Sequence, residues 1–490
     1  MKYLIVSVLF VQQAYAQALD QLAIRKGITL NGSIHASTTA YKAFGMEQRR
    51  DPLTWYLNGN ININFFGYGM PFSFSYSNQG TQYSQPFNQY RFAPSYKWAR
   101  LYLGTSSMQF SNYTLAGHVF NGVGVELTPG KWRIAAMYGS LNKDMRRNGY
   151  GGKVGYENNG NYYSMAFFSA NDISNTNQTA TFALKQRITR RIFAEAAYSI
   201  SVLNNIYYDA IQAGIGYTAG TCAIQLRYER VAPDYKTLGA YAVVDDMRNI
   251  TVAPTMQLAK GRITLTANAG MQVNNLHHSK MSDTRRWVAS INTSVVPDDH
   301  WVITTGYSNF STFTRVRPLV DPYFTNPLDT LDYYQVNTTY NNLLMYKIKK
   351  SAITLNTSFQ HASDKSDAND NLSSFLTANL SYTYLLDKQN LSITTAFNYY
   401  YNTSTGLNTQ FFGPHINISK QFFNKVCKAA LLVTYNITKA AATQSTLFNT
   451  GCTFGYTPRG KKHNLGSSLL YLQKGAVNEW TSSMNYTYSF

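Results

Sequence analysis

The chain has 490 residues and a formal net charge of +19, yet only 14% of its residues are charged, against roughly a quarter in ordinary soluble domains. Aromatic residues make up 15%, with 39 tyrosines, and no apolar run reaches the roughly 18 residues that a membrane helix needs. The composition excludes a helical membrane protein and suits a chain in which alternate residues of spanning strands face lipid.

In chain order, Met1-Lys2, an apolar run from Leu4 to Val11 and Ala14-Tyr15-Ala16 read as a secretory signal over 1–16, with cleavage expected before Gln17. Residues 17–490 then form a single domain, because no linker divides them. The first strand is expected near Gly27 to Ala40. Beyond a charged loop, Trp55, Leu57, Gly59, Ile61, Ile63 and Phe65 alternate with Tyr56, Asn58, Asn60, Asn62 and Asn64. Such a row of asparagines cannot sit in a dry core without partners, but it suits a wet lumen.

The clearest hairpin runs from Val119 to Gly139. Val123, Val125 and Leu127 face one way, Thr128-Pro129-Gly130-Lys131 turns the chain, and Trp132, Ile134, Ala136 and Tyr138 return on the same face. Short turns recur at Asn158-Asn159-Gly160, Ala219-Gly220, Lys260-Gly261, Pro297-Asp298-Asp299, Asp387-Lys388 and Pro458-Arg459-Gly460. Longer polar segments are expected at 140–149, 170–177, 232–247, 274–284, 311–331, 362–371, 402–408 and 438–445. Short turns at one end and long loops at the other predict an all-β transmembrane antiparallel up-and-down β-barrel of about 26 strands, within a range of 22 to 26. An even count puts both termini on the periplasmic side and lets the first strand close on the last.

The last stretch alternates without a break. Trp480, Ser482, Met484, Tyr486, Tyr488 and Phe490 are apolar, aromatic or small, while Glu479, Thr481, Ser483, Asn485, Thr487 and Ser489 are polar. It resembles the closing strand of a Gram-negative outer-membrane barrel. The resemblance implies outer-membrane localisation and makes Trp480, Tyr486, Tyr488 and Phe490 the assembly signal read by the barrel assembly machinery. A second resemblance rests on Pro94-Ser95-Tyr96-Lys97-Trp98, on Phe110 through His118, and on Gly124 through Lys131. This pattern is similar to one in uncharacterised outer-membrane β-barrel proteins of Bacteroidota; it covers about a tenth of the chain strongly and implies a lineage but no activity.

No catalytic constellation, phosphate loop or calcium loop occurs. The eight His are scattered and His277-His278 lacks chelating geometry, so no enzyme activity, metal or cofactor is expected. Cys222, Cys427 and Cys452 are an odd, widely spaced set; Cys222 and Cys452 read as small lipid-facing residues. The positive charge gathers at the short-turn end, with Arg190, Arg191, Lys349, Lys350, Arg459, Lys461 and Lys462 as its core. A basic rim that holds anionic outer-membrane lipids accounts for it without nucleic acid.

Two functions fit: a porin-like or substrate-specific channel, or a structural or assembly scaffold that binds lipoproteins or secretion machinery. Such a barrel, roughly 50 Å across, needs its lumen narrowed. Two segments are expected to fold inward. Thr105–His118 carries Met108, Phe110, Tyr113 and Leu115, and Ser311–Leu331 carries Arg315, Arg317, Tyr323 and Phe324 beside three prolines. A lipoprotein or secretion-system partner is expected to fill the rest.

Overall fold

The computed structural model describes residues 27–78, 89–142, 147–280, 282–316, 331–366, 369–404, 407–440 and 443–490. The alternating runs form strands in chain order: β1 (Thr29–Phe44), β2 (Leu53–Phe65), β3 (Tyr68–Ser77), β4 (Gln89–Phe92), β5 (Ser95–Tyr96), β6 (Ala99–Gln109), β7 (Ala116–Leu127), β8 (Trp132–Asn142) and β9 (Arg147–Asn158). Then come β10 (Asn161–Asn171), β11 (Thr176–Arg187), β12 (Ile192–Leu203), β13 (Ile206–Ala219), β14 (Cys222–Val231), β15 (Met247–Leu258), β16 (Ile263–Asn274), β17 (Ser282–Val295) and β18 (Trp301–Val316). The wall is completed by β19 (Leu331–Ile348), β20 (Ser351–Ser366), β21 (Asn369–Leu386), β22 (Leu391–Ser404), β23 (Leu407–Phe422), β24 (Cys427–Ala440), β25 (Thr443–Tyr456), β26 (His463–Lys474) and β27 (Val477–Ser489).

Strands β4 and β5 share one place in the wall, between β3 and β6. Pro94 lies in the gap between them and has no N–H to give to a ladder. The 27 strands therefore occupy 26 positions in a closed antiparallel barrel. Closure is made by β27 against β1, from Ser33 opposite Ser489 to Phe44 opposite Asn478. Gly32 and Phe490 exchange two further backbone hydrogen bonds of 3.0 Å each. Among the described residues every strand is paired on both sides, so the ladder satisfies most of the backbone without help from the interior.

One end of the barrel, the turn end, has connections of two to six residues. Asn159 and Gly160 there both have positive φ, as a tight hairpin with right-handed strand twist requires. The opposite, loop end is uneven. The segment between β14 and β15 runs from 232 to 246, whereas only two residues separate β20 from β21, β22 from β23, β24 from β25 and β26 from β27. The expected polar loops at 362–371, 402–408 and 438–445 are mostly the ends of these strands, of which β21 reaches 18 residues. Polar residues on both faces hide the period-two signature, while the backbone ladder continues regardless.

The two faces are identified by contacts across the interior. Tyr113, in the loop after β6, hydrogen-bonds Glu229 of β14, so Glu229 and its register neighbours face inward. Residues of the opposite parity face outward and are mostly apolar: on β10, Met165 is 67% exposed whereas Phe168, of the other parity, is fully buried. Cys222, Cys427 and Cys452 lie on the outer face by the same register.

Candidate functional site

The main structured feature of the interior is a lock between two loop-end segments, 110–115 and 232–246. The inner face of β7–β10 makes room for it. Glycines at 124, 149 and 151 leave space that a Cβ would close: at Gly149 it would meet Leu141 and Phe168, and at Gly124 it would meet Met108. Met108, Phe110, Leu115, Phe120, Met137, Leu141, Ala166 and Phe168 fill that space as one buried cluster.

The two segments then bond to each other. The Tyr235 hydroxyl donates to the Tyr113 carbonyl at 2.8 Å, and the Thr237 hydroxyl to the Thr114 carbonyl at 2.7 Å. The Ala116 N–H donates to the Gly239 carbonyl at 2.9 Å. Gly239 has no substitute here, because a Cβ would meet the Thr114 carbonyl and the Phe168 ring at under 3.0 Å. Further along, the Tyr241 hydroxyl accepts from the Val119 N–H at 3.1 Å and its ring stacks on His118.

Both segments are also tied to the wall. The Tyr113 hydroxyl donates to the Glu229 carboxylate at 2.5 Å, with Gln212 alongside at 3.5 Å. Burial first, and then the hydrogen bond to Glu229 and its charge, push the Tyr113 phenol well above its ordinary range, so it remains a donor at every physiological pH. Ser111 meets Thr181 at 3.0 Å, and Asn177 accepts from the Leu238 N–H at 3.0 Å while its amide donates to the Lys236 carbonyl at 3.2 Å. At the far end of the segment, Asp246 accepts from the Leu276 N–H at 2.9 Å and pairs with Lys280. Burial opposes the Asp246 charge, but Lys280 and these N–H groups outweigh it and hold the carboxyl below its usual range.

The rest of the inner wall is different in kind. From β18 through β27 to β1 it is mostly a net of short uncharged side chains, with few charges among them, such as Asp364, which accepts from Gln335 at 3.4 Å. Asn379 donates to Asn398, Ser358 to Asn341, and Ser468 meets Ser483, all at 2.5–2.6 Å. His35 and His415 each bond a threonine at 2.9 Å. Phe375, Tyr400 and Phe411 form one inward aromatic group, with ring centroids 4.9 and 5.9 Å apart in edge contacts.

Of the residues singled out from sequence, Met108, Phe110 and Tyr113 are brought together with Leu115 in the lock. Arg315 lies in β18, while Arg317, Tyr323 and Phe324 are outside the described residues. Trp480, Tyr486 and Tyr488 lie on the outward face of β27; Trp480 packs against Tyr471, and Tyr488 against Phe490 and His463. Arg190, Arg191, Lys349, Lys350, Arg459, Lys461 and Lys462 all fall in turn-end connections. Residues 1–16 lie outside the described residues.

Sequence reasoning did not single out Tyr235, Thr237, Gly239, Asn177, Phe168 or Glu229. A weak signal existed in the aromatic and apolar residues Tyr235, Leu238 and Tyr241 within a segment read as polar, and in the glycines of the inward face of β9.

No protein-family model and no curated protein matches the chain. Among solved structures, the chain is similar to the P pilus usher PapC translocation pore, at 10% identity and TM-score 0.41 over 94% of this chain and 99% of that one. It is also similar to the FrpB iron transporter of Neisseria meningitidis, at 9% identity and TM-score 0.42 over 95% and 83% of the two chains. A porin of Rh. blastica aligns at 12% identity and TM-score 0.28, over 50% of this chain and 94% of that one.

Proposed function

We propose that the protein is a channel of the Gram-negative outer membrane whose lumen is narrowed on one side by inward-folded loops. The observation that carries this reading is the lock itself: Tyr113 bonded to Glu229, and Thr237 bonded to Thr114. Loops that only capped a rim would have no reason to spend buried hydrogen bonds on the inward face of the wall. The exposed apolar outer face supports a lipid setting, since soluble proteins rarely expose large contiguous apolar surface. An Asn, Ser and Thr inner wall supports passage of polar solutes without strong charge selection.

In this reading the segment 1–16 is a cleaved signal, Trp480, Tyr486, Tyr488 and Phe490 serve assembly, and the basic turn end holds periplasmic-leaflet lipid. The test is conductance of the purified barrel in planar bilayers, with 235–243 replaced by a short Gly-Ser linker. Discrete channels that widen in the variant are expected; equal conductance in both proteins would overturn the narrowing role.

A second reading, a scaffold that holds a partner protein inside the barrel, is favoured by one feature. Tyr400 is 42% exposed on the inner face beside Phe375 and Phe411, an aromatic group that a partner could cover. Silent bilayers together with a copurifying protein would favour it.

A further inference from the structure

The outward face of β14–β17 carries a second pattern, at the end opposite to the basic turns. On β14 the outward residues run Cys222, Ile224, Leu226, Tyr228 and then Arg230. On β15 they run from Leu258 through Met256, Pro254, Val252 and Ile250 to Arg248, and on β17 from Val295 through Thr293, Ile291, Ala289 and Trp287 to Arg285. Between them β16 stays apolar from Ile263 to Val273. Three of these four adjacent strands thus end an unbroken, almost wholly apolar outward run on an arginine.

The arginines are at one level. Arg230 is opposite Arg248, Arg248 is opposite Val273, and Val273 is opposite Arg285. The level below carries Ile250 and Trp287, which are 42% and 58% exposed. Along β16 the apolar run covers ten residue steps, about 33 Å of strand, or about 25 Å of height at a tilt near 40°, the height of a barrel's lipid-facing band. Arg262, at the turn end of β16, and the arginine row are therefore one bilayer core apart, so the row sits at headgroup depth.

Arg230 is neutralised by Asp209 at 2.9 Å. Arg248 and Arg285 form no ion pair among the described residues. They flank Val273 on the wall of a cavity of about 410 Å³ that is also lined by Met271, His278 and Asp283. The Asp283 carboxylate is already engaged by the Asn275 amide. Two free guanidinium groups above an apolar floor match a phosphate joined to acyl chains: the fork binds phosphate oxygens and the chains lie on Met271 and Trp287.

We propose that Arg248 and Arg285 form a binding site for the phosphate headgroup of a lipid in the leaflet at the loop end. The site is outside the barrel and does not depend on whether the lumen conducts. Its test is native mass spectrometry of the full-length barrel, released from neutral detergent after mixing with phosphatidic acid. Wild type should retain a phosphatidic acid adduct that R248Q/R285Q holds about tenfold less tightly, with R248K/R285K in between and R49Q/R50Q, which changes the same charge in the β1–β2 loop, unaffected. Equal retention by R248Q/R285Q would overturn the proposal. So would an adduct that inorganic phosphate in excess displaces, which would mark a free-anion site, or equal retention of phosphatidylcholine, which would mark a purely apolar groove.

Discussion

The arc from β6 to β14 and the arc from β19 to β27 belong to one ladder but treat the interior differently. The first buries Phe110, Leu115, Phe120, Phe168 and Tyr235 on its inner side; after Ala240 no described hydrophobic residue is fully buried. The second has longer strands and two-residue connections at the loop end, with an inner wall of hydrogen-bonded Asn, Ser and Thr. A closed barrel satisfies its backbone by circumference alone, so the second arc needs no core to stand. The apolar packing of the first arc is therefore not a requirement of the wall. It holds two loops in place against the inner face of the wall.

The largest effect expected from this contrast comes from matched truncations. Phe168 is fully buried beneath Gly149, Gly151 and Gly239, so F168A should cost about 3–5 kcal/mol, as buried Phe to Ala changes do. On the other arc F375A removes an inward ring that is only half-buried, and about 1 kcal/mol or less is expected. Urea unfolding of the micelle-bound barrel measures both. Equal losses would show that the two arcs are packed alike and would remove the argument for a dedicated lock.

How much of this was legible in the sequence follows the same division. The hairpin from Val119 to Gly139 and the closing strand at Trp480 to Phe490 could be read because a strand wet on one face and apolar on the other announces its period. The polar ends of β20 to β25 could not, since both faces are wet there and composition imitates a loop. Within the candidate site, the apolar density at Met108, Phe110 and Tyr113 is visible locally. Their partners are not: Glu229 and Tyr235 lie more than a hundred residues downstream, and no local pattern joins them. Gly239 is legible only once Phe168 is seen against it.

A smaller effect is expected at the tie between loop and wall. The Tyr113 hydroxyl donates to a carboxylate, and hydrogen bonds to charged groups contribute about 1.5–3 kcal/mol. Y113F should loosen 232–246 by that order, read as faster amide exchange in the segment. E229Q should lose less, because an amide oxygen still accepts. Y113F combined with E229Q should lose little more than Y113F alone if the two act as one unit. On the bare arc Y400F should leave exchange in β22 and β23 unchanged; if it loosens them as much, the inner wall there is held more tightly than its polar net implies.

The smallest effect is a dependence on pH at one end of the lock. Asp246 is 2% exposed in its side chain and faces Lys280 at 2.5 Å, with the Leu276 N–H also donating to it. Its folded pKa is depressed below that of the unfolded chain, because Lys280 and the N–H groups outweigh the burial that alone would raise it. A depressed carboxyl contributes its stability above the ordinary carboxylate pKa and loses it as pH falls through the folded value. The anchor should therefore be constant across the neutral range and weaken only in acid, below the pH at which a free aspartate protonates. Amide exchange in 232–246 followed downward in pH should accelerate over that window, while β22 and β23, which hold no such pair, stay flat. D246N should loosen the segment at neutral pH and abolish the acid step. Acceleration of both regions together, or an acid step that survives D246N, would mean that the whole barrel is titrating and that Asp246 is not the anchor.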